Sequence, residues 1–256
     1  METESTPTAQ STAERRLGDV AVIDGGYQHR ALTSGPPAQR FWHQSKLNLL
    51  DWIFPVASGD RIIDVGCGSG VFSDAMAKRG ADVLGIDANQ SAVEYATRTF
   101  ARPGGATFRK GFLDELALEP ASFDKAVCLE VIEHVYEHQA RKLFTDLFAI
   151  LKPGGQLFVT TPNYRGVWPL VEWAADRFSP VAKMDAEQHI THFNRDNLRA
   201  ALTQTGYQVG EIRTFSTFAS FVSPLSWRAA EQLELLERKV DLPFGSVLAA
   251  VARKPW

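Results

Sequence analysis

Three glycines within five residues, Gly66, Gly68 and Gly70, part an apolar run at 61–65 (RIIDV) from a stretch at 69–79 whose apolar residues Phe72, Ala75 and Met76 recur at helical spacing. A buried strand that passes through a glycine turn straight into a helix narrows the possible folds at once. Such a turn lets a ligand approach the backbone closely and aims amides at it from a helix N-terminus. The dinucleotide fingerprint G-x-G-x-x-G needs its third glycine at position 71, but Val71 stands there and Gly70 comes one residue early. Asp64, beside the loop, would repel a pyrophosphate and suits a cationic amino group. The loop therefore fits a nucleoside carrying an amino acid better than a dinucleotide.

The same alternation continues down the chain. Strands are expected at 82–86, 106–110, 124–129, 156–161, 208–215 and 246–253. Between them the spacing predicts helices from Asn89 to about Phe100, over 137–151 before Lys152-Pro153-Gly154-Gly155, from Asn194 to Thr205 before Gly206, and over 224–240. Strands alternating with helices of this length make an α/β fold with a doubly wound, Rossmann-like parallel sheet. Residues 1–16 read as a disordered tail and 17–256 as a single domain. Within it, 17–58 form a helical cap carrying Phe41, Trp42, Leu47, Leu50 and Ile53, and 163–192 form an irregular aromatic insertion. The cap is expected to be removable as far as residue 54 with the sheet left folded.

Composition removes several classes. With 27 Lys+Arg against 30 Asp+Glu the net charge is −3, which argues against a general nucleic-acid binder. Two cysteines cannot staple 256 residues, and no apolar run spans a bilayer. Without an apolar leader in the first residues and with both thiols free, a cytoplasmic location is expected.

Two further features carry chemistry. Asp87 ends the second strand, where a carboxylate accepts both hydroxyls of a ribose or, alternatively, caps the next helix. Glu130, Glu133 and His134 follow the fourth strand. A helical turn there would put them on one face, as an acid/base site or as half of a metal site.

Residues 64–70, Asp87, 123–135 (FDKAVCLEVIEHV) and 151–163 (LKPGGQLFVTTPN) resemble class I S-adenosylmethionine-dependent methyltransferases, most closely the ubiquinone-biosynthesis O-methyltransferase subfamily. The similarity covers about 60–210 and the final strand. It implies a seven-strand sheet with the last strand antiparallel between the fifth and sixth, and S-adenosylmethionine as cofactor. Asp64 would face the methionine amino end, Gly66 and Gly68 would pack on the cofactor, and Asp87 would hold its ribose. Cys67, with no side-chain task, and Ala88 complete that wall, and Glu130 would line the methionine end. Leu113 and Asp114 would lie by the adenine. Relatives carry Gly-Asp after strand three, whereas Gly111-Phe112 stands here, which leaves the adenine amino group to Asp114 or to backbone carbonyls. Arg40, after a proline turn, would reach the methionine carboxylate.

The resemblance also implies methyl transfer to a hydroxyl of a small hydrophobic or aromatic acceptor. His134 would be the base, with Glu133 orienting it. Relatives with Glu-x-x-Glu-His include metal-dependent enzymes, so Glu130, Glu133, His134 and a loop histidine, His189 rather than His192, form an alternative site for a divalent cation. The metal-free base is the preferred expectation. Trp42, Tyr164, Trp168, Trp173 and Phe178 would wall the acceptor pocket. Phe215, Phe218, Phe221, Val222, Leu225 and Trp227 would extend the lid, touch a membrane surface peripherally, or simply cover the sheet. N- or C-methylation, and a non-catalytic cofactor-binding module, are the alternative functions.

Overall fold

A computed structural model describes residues 24–178 and 188–256. The tail 1–16 lies outside the described residues, as do 179–187 of the insertion. Seven strands form one sheet: β1 (Arg61–Val65), β2 (Asp82–Asp87), β3 (Ala106–Lys110), β4 (Phe123–Leu129), β5 (Leu151–Pro162), β6 (Gln208–Phe215) and β7 (Val247–Arg253). Their order is β3-β2-β1-β4-β5-β7-β6. The pairs β1/β2, β1/β4, β2/β3 and β4/β5 are parallel, and β7 runs antiparallel to both β5 and β6. The expected seven-strand sheet with its last strand reversed is the observed one.

The helices are α1 (Tyr27–Ser34), α2 (Pro37–Trp52), α3 (Val71–Ala77), α4 (Gln90–Phe100), α5 (Glu137–Ile150), α6 (Trp168–Phe178), α7 (Arg195–Gln204), α8 (Ala219–Val222) and α9 (Trp227–Lys239). Local chemistry sets their starts. Pro37 opens α2 where its missing N–H costs nothing. The side chains of Asn89, Asn194 and Ser226 accept from the first free amides of α4, α7 and α9.

Two expectations change. The insertion is not irregular throughout, because Trp168–Phe178 is helical. Proline at its second position hides this in the sequence, although a first-turn proline is compatible with a helix. Nor is α2 a detachable cap. Leu49, Leu50 and Phe54 lie in one buried cluster with Ile62, Met76, Val83 and Phe158, and the Phe54 ring stacks on Phe158 at 5.1 Å. Burial of each such side chain stabilises by about 1.5–3 kcal/mol, so α2 is part of the core on that face of the sheet. The other face carries a second cluster, with Phe144 and Leu147 of α5 and Leu198 and Leu202 of α7.

Strand order reverses between β1 and β4. Chains leaving their carboxyl ends turn opposite ways and open a crevice, the place where α/β sheets bind ligands.

Candidate active site

On the β1 side of the crevice the glycine loop is held in a shape only glycine adopts easily. Gly66 and Gly70 have φ of +72° and +81°. A side chain at Gly66 would strike Val131, and one at Gly70 would strike Ala96 and Phe108. Asp64 is buried and accepts a 2.6 Å hydrogen bond from the Ser73 hydroxyl. Burial pushes its carboxyl up to about 7, with the Ser73 bond opposing and Asp87 adding to the rise. Asp87 takes amide hydrogens from Gly68 and Asn89, each at 2.8 Å, so it ties the loop to the start of α4. Burial raises its carboxyl and these two amides lower it. The cap of α4 is Asn89 rather than Asp87, whose carboxylate instead holds the glycine loop and the turn before that helix.

Several other expected cofactor residues are placed as follows. Cys67 is buried in the loop, its thiol pushed well up by burial and by Asp64 and Asp87. Ala88 follows Asp87 half-buried. Leu113 is buried in a short 3-10 turn, while Asp114 beside it pairs with Lys142 of α5 at 3.3 Å. Arg40 is exposed, its guanidinium 5.6 Å from the Trp227 ring centre. The cap residue that meets the loop is Gln28 of α1. Its carboxamide oxygen accepts from the Ser69 amide at 3.2 Å and lies where a side chain at Gly68 would be. Nothing in its local sequence marked it.

On the β4 side, Glu130 sits at φ +55°, a left-handed conformation uncommon for a side chain this long. Its amide donates to the Thr160 carbonyl at 3.0 Å, and its carboxylate accepts from the Thr160 hydroxyl at 2.7 Å. The chain then makes a 3-10 turn, Ile132–His134. Glu133 is 1% exposed and accepts from the Thr161 hydroxyl at 3.0 Å. Burial first, and the Glu130 charge second, raise its carboxyl well above the usual range.

Glu133 does not orient His134 as expected. Its nearest oxygen is 3.9 Å from His134 Nε2, beyond hydrogen-bond reach. The orienting group is the Gln188 carbonyl, 2.8 Å from Nδ1. A carbonyl only accepts, so Nδ1 carries the hydrogen and Nε2 keeps its lone pair. Burial lowers this histidine's pKa, with Gln188 and Glu130 opposing.

The later loop brings His189, not His192, to this place. The His189 and His134 rings are 5.0 Å apart, while His192 stacks on Tyr164 at 3.9 Å. His189 Nδ1 is 2.6 Å from the buried Glu172 carboxylate, and Tyr164 Oη lies 2.9 Å from each of them. Glu172 falls in the stretch that read as irregular, and only the helix reveals it.

The acceptor wall is narrower than expected. Trp42 and Trp168 stack at 6.4 Å, and Trp168 lies 5.8 Å from His189. Trp173 is 60% exposed. Phe178 ends α6, its side chain outside the described set. Of the later aromatic stripe, Phe215 is buried, whereas Phe218, Phe221 and Leu225 are exposed.

Above these groups lies a lysine that the sequence did not single out. Lys46 of α2 is 5% exposed, with Nζ 3.5 Å from the centre of the Trp42 ring. Burial pulls its amine down, and the charges of Glu130 and Glu133 pull it back up. Its neighbour His43 is pushed down to about 3 by burial and by Lys46, and so stays neutral.

Among the described residues, Glu133, His134 and His189 offer three ligand atoms within 4.8 Å of one another. Glu130 is not in that group, which corrects the four-ligand set. Three donors suit a divalent ion in number.

A family profile described as methyltransferase domain matches residues 38–212. The chain is 37% identical over 142 residues to a ubiquinone biosynthesis O-methyltransferase of Dechloromonas aromatica, covering 50% of this chain and 60% of that one. To the protein of the same name from Pseudomonas fluorescens it is 36% identical over 129 residues, covering 50% and 51%. The matched stretch thus spans a little over half the length of these curated relatives. Among solved structures, an S-adenosylmethionine-dependent methyltransferase from Mesorhizobium loti aligns with TM-score 0.60 at 24% identity over 82% of this chain and 98% of that one. Magnesium protoporphyrin IX methyltransferase from Synechocystis, with bound S-adenosylhomocysteine, aligns with TM-score 0.61 at 17% identity over 90% and 94%. At these identities the structural likeness concerns the fold.

Proposed function

The chain belongs to the methyltransferase-domain family, and on that premise we propose that it transfers a methyl group from S-adenosylmethionine to a hydroxyl of a small hydrophobic or aromatic acceptor. The observation that carries this reading is His134, a half-buried imidazole with Nδ1 held by a backbone carbonyl, its pKa lowered toward the neutral form, and Nε2 without a hydrogen bond at the carboxyl edge of the sheet.

Methyl transfer is an in-line displacement in which the donor brings both the electrophilic carbon and the leaving sulfur. The protein's tasks are to align the acceptor oxygen and to take its proton. In this reading Asp64 receives the donor's amino group, Asp87 its ribose hydroxyls, and the glycine loop its backbone contact. Gln28 and α1 close the loop from above. His134 Nε2 takes the hydroxyl proton as the oxygen attacks, and the imidazolium that forms is stabilised by Glu130. Trp42 and Trp168 give a flat apolar wall for the acceptor, and Glu172 fixes the His189 ring beside it. No step passes through a metal.

The relatives' name and this wall together favour oxygen over nitrogen or carbon as the methyl-accepting atom, and two free buried thiols accord with a cytoplasmic setting. Among the described residues no helix is long and apolar enough to cross a membrane. The test is incubation with S-adenosylmethionine and a panel of phenols, catechols and lipid-quinol analogues. The expected result is a 14 Da mass gain on a hydroxylated acceptor. A gain only on amines, or none on any hydroxyl while the donor binds, would overturn the reading.

A further inference from the structure

We infer that α8 and the turn into α9 form a lipid-docking tip, whose exposed apolar side chains enter the headgroup region of an anionic bilayer. The docking itself is independent of the proposed methyl transfer. Only its use, to draw a hydrophobic acceptor from the bilayer to the Trp42 wall, rests on that reading.

Helix α8 is built inside out. Ala219, Ser220 and Ser223 are buried, while Phe218, Phe221 and Leu225, at i, i+3 and i+7, are 48%, 58% and 89% exposed. Hydrogen bonds hold the helix in this orientation. Ser220 and Ser216 share one at 2.8 Å, Ser223 donates to the Ser220 carbonyl at 2.8 Å, and Glu237 of α9 accepts from the Phe218 and Ala219 amides at 2.7 and 3.2 Å. Rolling α8 to hide its phenyl rings would break these bonds inside the protein, where each lost partner is costly. Phe244, its ring 6.2 Å from that of Phe218, is also exposed and widens the patch.

Charge and size choose the occupant. Residues 216–230 hold no Asp or Glu, although the whole chain has a net charge of −3. Arg228 is exposed in the first turn of α9, and Arg40 is exposed with its guanidinium 5.6 Å from the Trp227 ring centre. The acids of α9 are each engaged: Glu231 by the Trp227 indole N–H at 2.9 Å, Glu234 by Arg238 at 3.1 Å, and Glu237 by the amides just named. Phenylalanine, leucine and tryptophan flanked by arginine are the side chains that settle where headgroups meet acyl chains. Each arginine near an anionic surface adds attraction. A second copy of the chain fits less well. Four apolar side chains, the aromatic ones offering roughly 100 Å² each, fall well short of the ~800 Å² per partner that a stable dimer buries.

The tip adjoins the acceptor wall. Phe41 of α2 packs with Ala219 and Ala230, its ring lies 5.0 Å from that of Trp227, and the next residue of α2 is Trp42. A single turn of α2 therefore carries both the seat of the tip and one side of the wall.

The experiment is flotation of the full-length protein with vesicles of phosphatidylcholine, alone or with a third of phosphatidylglycerol. The wild type should float with the mixed vesicles and less with phosphatidylcholine alone. Phe221→Ser combined with Leu225→Ser should weaken partitioning at least ~10-fold, the scale of one large apolar side chain left in water, with circular dichroism unchanged. Where the pair does not fold, Leu225→Ser alone should weaken it in the same direction. Arg228→Gln should weaken it about 5-fold, and on the mixed vesicles only. A wild type that does not float, that floats equally with both vesicles, or that floats unchanged after the serine substitutions overturns the proposal. So does a wild-type dimer in sedimentation velocity that the serine substitutions render monomeric, since the tip would then belong to a second copy. Flotation without a mass gain on any hydroxyl supports the docking and overturns only the methyl-transfer reading.

Discussion

Asp64 is held at the end of β1 with its carboxyl pushed up to about 7 by burial, and this has a consequence for pH. A raised pKa means that the folded, unliganded chain keeps a proton that exposed aspartate loses near 4. The stability this lends the unliganded fold is full below the ordinary aspartate value and is lost as pH rises through about 7. An ammonium group arriving beside Asp64 favours its ionised form, so binding S-adenosylmethionine below pH 7 should release a proton. Affinity should rise with pH from 5.5 to 7.5, and Asp64→Asn should flatten that rise. Calorimetry in two buffers of different ionisation enthalpy checks this, and equal affinities at both pH values would remove Asp64 from the amino-group role. A second test at the same scale concerns His134. His134→Ala should lower turnover about 10²–10⁴-fold and leave the donor's affinity unchanged. Equal losses in affinity and turnover would make His134 a structural residue.

At the scale of elements, α1 and α2 separate although the sequence presents them as one cap. Deleting residues 1–35 removes Gln28 from the glycine loop, and should weaken donor binding while circular dichroism still shows the sheet. Deleting 1–54 also removes Leu49, Leu50 and Phe54 from the core and should unfold the chain. A folded product of the longer deletion would restore the detachable cap. The strands were legible because β1, β3 and β6 are short apolar or alternating runs bounded by turn residues, and their observed bounds are those read from the chain. The caps at Asn89 and Asn194 were legible because capping is local. Helix α6 was not, since Pro169 and the tryptophans around it carry no clear helical period. Gln28 and Glu172 were not legible either, because each gains its meaning from a partner on a distant segment, Ser69 and His189 respectively. Glu133 and His134 were found by spacing, but their partners were not. The Gln188 carbonyl that sets the His134 tautomer is a backbone group, silent in any motif.

At the scale of the whole molecule, the two halves of the sheet meet between β1 and β4, and each half brings one part of the site. The β1–β2 half carries Asp64, the glycine loop and Asp87; the β4–β5 half carries Glu130, Glu133 and His134. Helices α1 and α2 pack on each other, with Gln28 on the loop and Lys46 over the face of Trp42. A donor seated between the halves would therefore contact structure on both sides of the crevice and tighten the whole chain rather than one loop. Ligand that binds only the folded state at 100 times its dissociation constant stabilises by about 2.7 kcal/mol. For a chain of this size each kcal/mol moves Tm by roughly 2–4 °C, so S-adenosylmethionine or S-adenosylhomocysteine should raise Tm by about 5–10 °C. NADH should not raise it, because its pyrophosphate would meet Asp64 and lacks the third loop glycine at position 71. Differential scanning fluorimetry with the three ligands at matched concentration decides the matter. An equal shift with NADH would mean that the loop reads the adenosine alone, and that the amino-acid half of the donor contributes nothing to recognition.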